Sequence, residues 1–262
     1  MKPIQIATFN VNSVRSRLPI LEQWLHKNPV ELLALQETKV TDEFFPVDFF
    51  HDLGYQIIYR GQKAYNGVAV ATRFEPIRVH FGFNDSEDPL ADTRLILIQT
   101  PHFFLLNSYI PQGKSIDHLD YQFKMRFFQR IHNWFKNDFS LQDPLVWVGD
   151  MNVAPTAIDV ANPEEKKNHV CFHEDVREVY YHTVNWGLID LFRQFNSQPG
   201  EYSFWDYRER NSFRLNIGWR LDHILCTPSL AKFAVDCYID KEPRGWEKPS
   251  DHTPVVACLQ LN

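Results

Sequence analysis

Apolar runs that stop abruptly at a polar side chain recur along this chain. The clearest covers residues 145–148, and Gly149, Asp150 and Asn152 follow it. Such a run predicts a strand buried on both faces, and the glycine indicates that another part of the backbone comes close. Asp150 and Asn152 stand two residues apart, so an extended backbone would point both to the same side. Taken alone, an Asx turn that closes the strand explains this pattern equally well.

Five further predicted strands carry such a polar group at or beside one end. They contribute, in chain order, Asn10, Glu37, Tyr109, Asp222 and the adjacent pair Asp251 and His252. Isolated turns do not explain why so many apolar strands each stop at one oxygen- or nitrogen-bearing side chain. The pattern therefore predicts one shared site that these strand ends build together.

Helical spacing of apolar positions occurs in three longer stretches, at residues 18–25, 117–137 and 174–186. Asn12 and Ser13 precede the first of them as candidate helix caps. Other predicted features are short strands at residues 55–59, 67–71, 77–81, 94–99 and 188–192, and a long polar excursion at residues 155–168. No linker interrupts the pattern, so residues 1–262 are predicted to form one domain. Many strands with few helices predict an α/β fold in which two packed β-sheets are flanked by helices.

The composition supports a large folded core, because 44% of the residues are hydrophobic and 15% are aromatic. The four cysteines show no CxxC spacing, and the N-terminus has no signal-like apolar segment. These features predict free thiols and a cytoplasmic protein, nucleoid-associated if the source is bacterial. No apolar run is long enough for a membrane span, so no membrane partner is expected.

A net charge of −6 argues against nucleic-acid binding by charge alone. It leaves room for a nucleic-acid enzyme, because a bound divalent cation and a local basic rim can reverse the field at one face. One segment offers such a rim by interleaving arginines with aromatic residues. Its members are Trp205, Tyr207, Arg208, Arg210, Phe213, Arg214, Trp219 and Arg220. A nucleic-acid surface and a solvated loop are both open interpretations of this segment.

Six segments occur in the order typical of the exonuclease III family. That family comprises the apurinic/apyrimidinic (AP) endonucleases of the endonuclease/exonuclease/phosphatase superfamily. The segments are residues 9–12, 35–39, 107–113, 149–152, 218–223 and 250–252. The chain resembles the family from about residue 4 to its C-terminus. The resemblance implies a four-layer α/β sandwich and a monomer.

The same resemblance implies a DNA repair nuclease that uses Mg²⁺, or alternatively Mn²⁺. Its expected substrate is double-stranded DNA with abasic sites or 3′ ends. The expected activities are cleavage at abasic sites, 3′–5′ exonuclease activity and 3′-phosphatase activity.

Phosphodiester hydrolysis needs an activated water and neutralisation of the phosphoryl oxygens, which a hard cation can supply. Glu37 is the best single Mg²⁺ ligand, because hard cations prefer carboxylate oxygens. Asn10 and Asp251 can complete the shell directly or through water. Asp150 and Asn152 could flank a second metal, or act on the water and the phosphate without one.

A histidine beside two aspartates suggests proton transfer. Asp222 would orient His252 and favour its charged form, so that His252 is either the general base or a protonated phosphate ligand. Within the family, the position of His252 and that of Asp150 are both proposed as the base, and the sequence does not choose between them. Tyr109 can donate to the phosphate or assist the leaving oxygen.

An aromatic pocket would select the substrate. Phe204, Trp219 and Leu221 match the family's apolar pocket for a flipped-out abasic sugar, and Arg208 matches the position from which relatives insert a side chain into DNA. His169 departs from the family, which has smaller residues there. Its imidazole could weaken abasic cleavage and leave 3′-end trimming dominant, although the intact pocket favours retained abasic cleavage. If His169 faces phosphate, DNA binding should tighten below about pH 6.5.

Alternative interpretations come from other classes of protein. The spacing of His169, Cys171 and His173 could indicate zinc, but three ligands without a partner motif argue against it. A superfamily phosphoesterase acting on inositol phosphates, sphingomyelin or RNA is the first rival, which the aromatic pocket disfavours. A non-catalytic nucleic-acid-binding module is the second, but such a protein should have lost Glu37, Asp150 or His252.

Overall fold

The structure is a computed structural model that describes residues 3–83, 85–89 and 91–261. The strands are β1 (Ile4–Asn10), β2 (Leu32–Gln36), β3 (Gln56–Arg60), β4 (Val68–Thr72), β5 (Arg78–Phe81), β6 (Leu95–Gln99), β7 (Phe104–Tyr109), β8 (Leu145–Asp150), β9 (Ile189–Asp190), β10 (Asp222–Cys226), β11 (Ala234–Ile239) and β12 (Val255–Leu259). The helices are α1 (Leu18–Lys27), α2 (Val47–Asp52), α3 (Leu119–Asp138), α4 (Glu174–Val184), α5 (Leu191–Phe195) and α6 (Pro228–Ala231).

The strands form two mixed sheets of six. Sheet 1 has the order β11-β12-β1-β2-β4-β3, and sheet 2 has the order β5-β6-β7-β8-β10-β9. Only β1–β2 and β7–β8 pair in parallel among the described strands. Parallel neighbours need a crossover connection, and here α1 and α3 supply it.

Alternating residues of the central strands face two different cores. Val146 and Val148 of β8 pack between the two sheets, whereas Leu145 and Trp147 pack on the outer side beneath α3 and α4. A third cluster joins the outer side of sheet 1 to α1 and α2. Strands buried on both faces read as continuous apolar runs, which explains the sequence pattern. The predicted four-layer sandwich of two packed sheets flanked by helices is confirmed.

One polar link crosses the core between the sheets. Gln36, at the end of β2, donates from Nε2 to Asn107 Oδ1 of β7 at 2.7 Å and to Thr8 Oγ1 of β1 at 2.9 Å. Asn107 donates in turn to the carbonyls of Leu35 and Ala69. All three polar side chains are fully buried. Hydrogen bonds between buried side chains of facing layers favour one alignment, so this link aligns the two sheets immediately below the polar strand ends.

Gly149 confirms the predicted close approach of two backbones. Its φ is +139°, and a Cβ at this position would lie 1.9 Å from the carbonyl oxygen of Ser108 on β7. Only glycine accommodates that conformation and that contact. β7 and β8 can therefore pair in parallel up to Tyr109 and Asp150, which stand side by side.

Several sequence expectations were wrong in detail. The strand predicted at residues 188–192 shrinks to Ile189–Asp190, because Asp190 accepts a hydrogen bond from the backbone of Arg193 and caps α5. Asn12 and Ser13 do not cap α1 and instead adopt positive φ. The excursion at residues 155–168 contains two short 3-10 helices, Ala157–Asp159 and Pro163–Lys166. No helix in the described part of the chain is long and apolar enough to cross a membrane.

Candidate active site

The predicted site residues converge where strands from both sheets end. In sheet 2, Asp150 of β8 lies directly opposite Tyr109 of β7 and Asp222 of β10. In sheet 1, β1 ends at Asn10, and β2 delivers Glu37 one residue after its last position. Parallel neighbouring strands end at the same edge of a sheet. The residues that follow β1 and β2, and those that follow β7 and β8, therefore lie close together.

Two carboxylates and one imidazole form the centre of the site. One ligand atom from each of Glu37, Asp150 and His252 lies within 4.8 Å of the others, the single such group found among the described residues. Asn10 Nδ2 donates to Glu37 Oε1 at 2.8 Å and to Asp150 Oδ2 at 2.9 Å. Convergent carboxylate oxygens are the ligands that Mg²⁺ prefers, so this donor set fits a divalent cation.

Asn10, Asn152 and Asp251, expected to bind a metal directly or through water or to act without one, make hydrogen bonds to protein groups around the two carboxylates. The side-chain oxygen of Asn10 accepts from the backbone of Asn12, so its amide group faces the two carboxylates. Asn152 donates from Nδ2 to the Ile110 carbonyl and to Asp150 Oδ2. Asp251 Oδ1 accepts from Asn12 Nδ2 at 3.0 Å and lies outside the central group. The two asparagines therefore orient Asp150, and Asn12, missed by sequence analysis, holds Asp251.

Backbone strain accompanies the acidic turn. Glu37, Lys39 and Asn152 all have φ near +50°, a region that costs non-glycine residues about 1–3 kcal/mol each. Lys39 Nζ lies 2.7 Å from Glu37 Oε2. Burial favours the protonated acid, but Lys39 and Asn10 outweigh it and lower the pKa of Glu37. The Glu37 carboxylate is therefore held ionised, as a cation ligand must be.

The histidine is paired with two aspartates. His252 Nδ1 lies 2.8 Å from Asp222 Oδ2, and His252 Nε2 lies 3.7 Å from Asp150 Oδ2. Burial opposes charge on the imidazole, but Asp222 and Asp150 outweigh burial and raise the pKa of His252 to about 10. Burial also raises the pKa of Asp150 to about 7, against the attraction of His252. These groups titrate together, and the shared proton resides on His252 at neutral pH.

Tyr109 remains a hydrogen-bond donor across the physiological range. Burial and the nearby Glu37 carboxylate raise the pKa of Tyr109 well above its ordinary value. The Arg94 guanidinium lies 4.7 Å from the ring centroid of Tyr109 and donates to its carbonyl at 3.1 Å. The phenol is thereby fixed beside Asp150 at the strand end.

An aromatic cavity of about 400 Å³ adjoins the acidic centre. Phe204 and Trp219 exchange backbone hydrogen bonds of 2.9 Å, and both line this cavity with Leu221. The ring centroids of Phe204 and His252 are 4.8 Å apart, so the aromatic pocket directly contacts the candidate catalytic residues. The structure thus brings together the predicted pocket residues.

His169 lies in the same cavity and stacks on Trp219, with ring centroids 4.5 Å apart. Its Nδ1 accepts the backbone N–H of Cys171, so that nitrogen carries no proton. Burial of the ring, followed by the charges of Lys124 and Lys166, lowers the pKa of His169 to about 4, although its exposed edge allows solvent to screen part of the effect. These causes favour the neutral imidazole in the free protein, and tighter DNA binding below about pH 6.5 stays a prediction for the complex.

The arginine-rich segment divides into two groups. Arg208, Arg210 and Arg214 are exposed, and Arg208 at the cavity rim pairs with Asp206 at 2.8 Å. Arg220 is not part of a surface. It is buried, with Nε 2.6 Å from Asp159 and Nη1 2.8 Å from Asp190. The split follows the local structure, because Arg208, Arg210 and Arg214 lie in a surface turn region, whereas Arg220 lies just before β10, between the buried residues Trp219 and Leu221.

Sequence analysis also missed Lys124. Its fully buried ammonium group contacts loops around the site. The sequence does carry a signal for this residue, because a lysine stands on the apolar face of the helix predicted at residues 117–137. His169, Cys171 and His173 do not form a zinc site, because they are absent from the metal-competent groups of the described residues.

Comparisons with known proteins agree with this geometry. Residues 7–252 match the model of the Endonuclease/Exonuclease/phosphatase family. The chain is 34% identical to exodeoxyribonuclease III of Haemophilus influenzae, over 97% of this chain and 99% of that protein. An AP endonuclease from Archaeoglobus fulgidus shares 44% identity and superimposes with a TM-score of 0.95, over 98% of this chain and all of the other.

A third relative widens the range of activities. The structure of a 3′ phosphatase from Neisseria bound to product DNA hairpin shares 32% identity with a TM-score of 0.92, over 98% of this chain and 100% of the other. The match to the family model covers far more than half of the chain, and the Haemophilus protein is covered almost completely. This chain therefore belongs to the endonuclease/exonuclease/phosphatase family, as a phosphodiester-hydrolysing nuclease of the exodeoxyribonuclease III type.

Proposed function

We propose that this chain is a divalent-metal-dependent DNA repair nuclease. It hydrolyses phosphodiesters at abasic sites and trims 3′ ends as a 3′–5′ exonuclease and 3′-phosphatase. The observation that carries the proposal is the convergence of Glu37, Asp150 and His252 beside an aromatic cavity. The similarity to an AP endonuclease and to a DNA-bound 3′ phosphatase supports the same substrate class.

Mg²⁺, or alternatively Mn²⁺, is the proposed cofactor, with Glu37 and Asp150 as its protein ligands. When bound, such a cation neutralises charge on the phosphoryl oxygens and acidifies a coordinated water. Asn10 and Asn152 hold the carboxylates through their amide groups. Asp251 completes the acidic environment from its hydrogen bond with Asn12.

The charges assign the proton-transfer roles. His252 is kept protonated by Asp222, so we assign it to the phosphate rather than to proton removal. Asp150 is then the proposed general base, because its carboxylate lies at the centre of the site, with Oδ2 3.7 Å from the Nε2 of the charged imidazole. Tyr109 retains its proton and is assigned to the phosphate or the leaving oxygen.

The aromatic cavity is the proposed binding site of the flipped-out abasic sugar. Phe204, Trp219 and Leu221 offer an apolar wall against which a flipped-out deoxyribose can pack. Arg208 lies at the rim, where release from Asp206 would free it for the duplex. We propose that abasic cleavage is retained, with 3′-end trimming comparably strong.

One observation favours a second candidate, a 3′ exonuclease and 3′ phosphatase with weak or absent abasic cleavage. The His169 ring stacks on Trp219 inside the cavity and takes up space that the sugar would use. The ratio of abasic cleavage to 3′-end trimming therefore depends on how readily the His169 imidazole moves away from Trp219.

Double-stranded DNA with abasic sites or 3′ ends is the proposed partner, and the chain is proposed to act as a monomer and a single domain. Gel filtration with light scattering tests the oligomeric state. The decisive experiment offers the purified protein one duplex carrying, in turn, an abasic site, a 3′-phosphate and a recessed 3′-hydroxyl. Phospholipid and RNA substrates serve as controls. Turnover of a control substrate with no turnover of the duplexes would refute the proposal.

A further inference from the structure

A fully buried lysine on α3 holds three separate loops by their carbonyl groups. Lys124 Nζ donates to the carbonyl of Gln112 at 3.1 Å, of Asn152 at 2.7 Å and of Val170 at 2.7 Å. The side chain has no exposed surface. A buried lysine is rare unless it is paired, and here the partners are neutral backbone groups rather than a carboxylate.

The hydrogen bonds fix the charge of this side chain. Three acceptors require three N–H donors, which the ammonium form has and the neutral amine lacks. Burial lowers the pKa of Lys124, while Cys171 and Asp150 oppose that effect. The geometry therefore keeps a positive charge beneath the site.

Each of the three carbonyls belongs to a loop that carries a site residue. Gln112 follows Tyr109 and lines the cavity. Asn152 adopts a strained positive φ and donates to Asp150. Val170 directly follows His169, which covers Trp219.

We propose that Lys124 is a positioning residue of the nuclease, whose ammonium group fixes these three loops at once and thereby sets both turnover and substrate preference. The inference rests on the proposed function for its catalytic consequences. Loss of the cation would leave the buried carbonyls of Asn152 and Val170, and the carbonyl of the exposed Gln112, without this donor, and each loop would move to find water. The loops also share direct hydrogen bonds, from Asn152 Nδ2 to the Ile110 carbonyl and from the Ala154 N–H to the Cys171 carbonyl, so their movements would be correlated.

Lys124→Met tests the proposal, because methionine fills similar volume without charge or donors. Arg130→Met is the matched control. Arg130 lies on the same helix, is about as buried, and holds Asp85 and the Pro89 carbonyl rather than a loop of the site. Both variants should lower the unfolding temperature. Only Lys124→Met should accelerate amide hydrogen exchange specifically at residues 112–113, 152–154 and 170–173.

Kinetics on a 3′-phosphate duplex and an abasic duplex give the second readout. Lys124→Met should lower kcat by about 10-fold or more with KM changed less than about 3-fold, and Arg130→Met should leave both near wild type. The ratio of abasic to 3′-phosphate turnover should rise, because the freed segment no longer holds His169 against Trp219. Lys124→Arg, which keeps charge and donors, should recover part of the lost kcat and keeps the test valid if the methionine variant does not fold.

Two results would overturn the proposal. One is exchange that rises uniformly along the chain in Lys124→Met, as in Arg130→Met, which would make the lysine a general stabiliser. The other is an unchanged kcat and substrate ratio. If the wild type cleaves none of the DNA duplexes, the proposed function fails, but the exchange comparison still decides whether Lys124 fixes the loops.

Discussion

Replacement of Asp222 by asparagine tests whether Asp222 keeps the His252 imidazole protonated. His252 Nδ1 lies 2.8 Å from Asp222 Oδ2, and both side chains are buried. The rise in the pKa of His252 from 6.5 to about 10 corresponds to roughly 5 kcal/mol of added preference for the imidazolium in the folded protein. Asp222 contributes most to the raised pKa of His252. Asp222→Asn should therefore remove about half or more of the added preference for the imidazolium, roughly 2–3 kcal/mol.

The sign of the pH dependence follows from linkage. A folded-state pKa above the unfolded value stabilises the protein fully below about pH 6.5, and this stabilisation is lost as the pH rises to about 10. Asp150 titrates near 7 and is coupled to His252, so the stability curve reports both groups and a separate probe of the imidazole is needed. Metal-free wild type should lose stability steeply over this interval, and Asp222→Asn should lose much less.

Urea unfolding in excess EDTA, repeated at several pH values, provides the assay, and the imidazole proton resonances follow His252 directly. Asp222→Asn in a His252→Gln background is the control, because the pH-dependent difference should vanish without the imidazole. Parallel stability curves for wild type and Asp222→Asn, or a His252 titration near its ordinary value in the wild type, would refute the assigned charge.

Four other expected outcomes concern the site. Glu37→Gln should lower activity and raise the Mg²⁺ concentration needed for half-maximal rate, and full activity of the wild type in excess EDTA would contradict metal dependence. Asp150→Asn should lower kcat by about 10²-fold or more in steady-state assays, whereas near-normal turnover would remove it from the mechanism. Gly149→Ala should reduce the free energy of unfolding by roughly 2–4 kcal/mol, because its Cβ would meet the Ser108 carbonyl; an unchanged urea midpoint would count against this. His169→Gly should raise the ratio of abasic cleavage to exonuclease activity on matched duplexes, and a constant ratio would make His169 an ordinary surface residue.

The positions of the site residues were predictable because the strands are buried on both faces. A run such as residues 145–148 has no amphipathic alternation, so the first polar side chain after it marks the strand end. Parallel pairing then brings such ends to one edge, as with Tyr109 and Asp150. The family motifs supplied the remaining residues, including the pair of Asp222 and His252.

The orientation of side chains was not predictable in the same way. Asn10 turns its amide group toward Glu37 and Asp150 because a backbone N–H two residues later takes its oxygen. Asn12 binds Asp251 across 239 residues of sequence, a contact that no local pattern encodes. The lowered pKa of His169 likewise depends on burial and on the charges of Lys124 and Lys166, which only the folded chain brings together.

The Gln36–Asn107 link between the sheets has a consequence for when the nuclease becomes active. Glu37 belongs to the first sheet and Asp150 to the second, so neither sheet alone can hold a cation between carboxylates. A cation that requires both would stabilise the docked sheets, by about 2.7 kcal/mol at a hundredfold excess over its Kd. A chain that ends before Asp150 lacks one of the two proposed carboxylate ligands. On this ligand set, cation binding requires that both sheets have folded and docked.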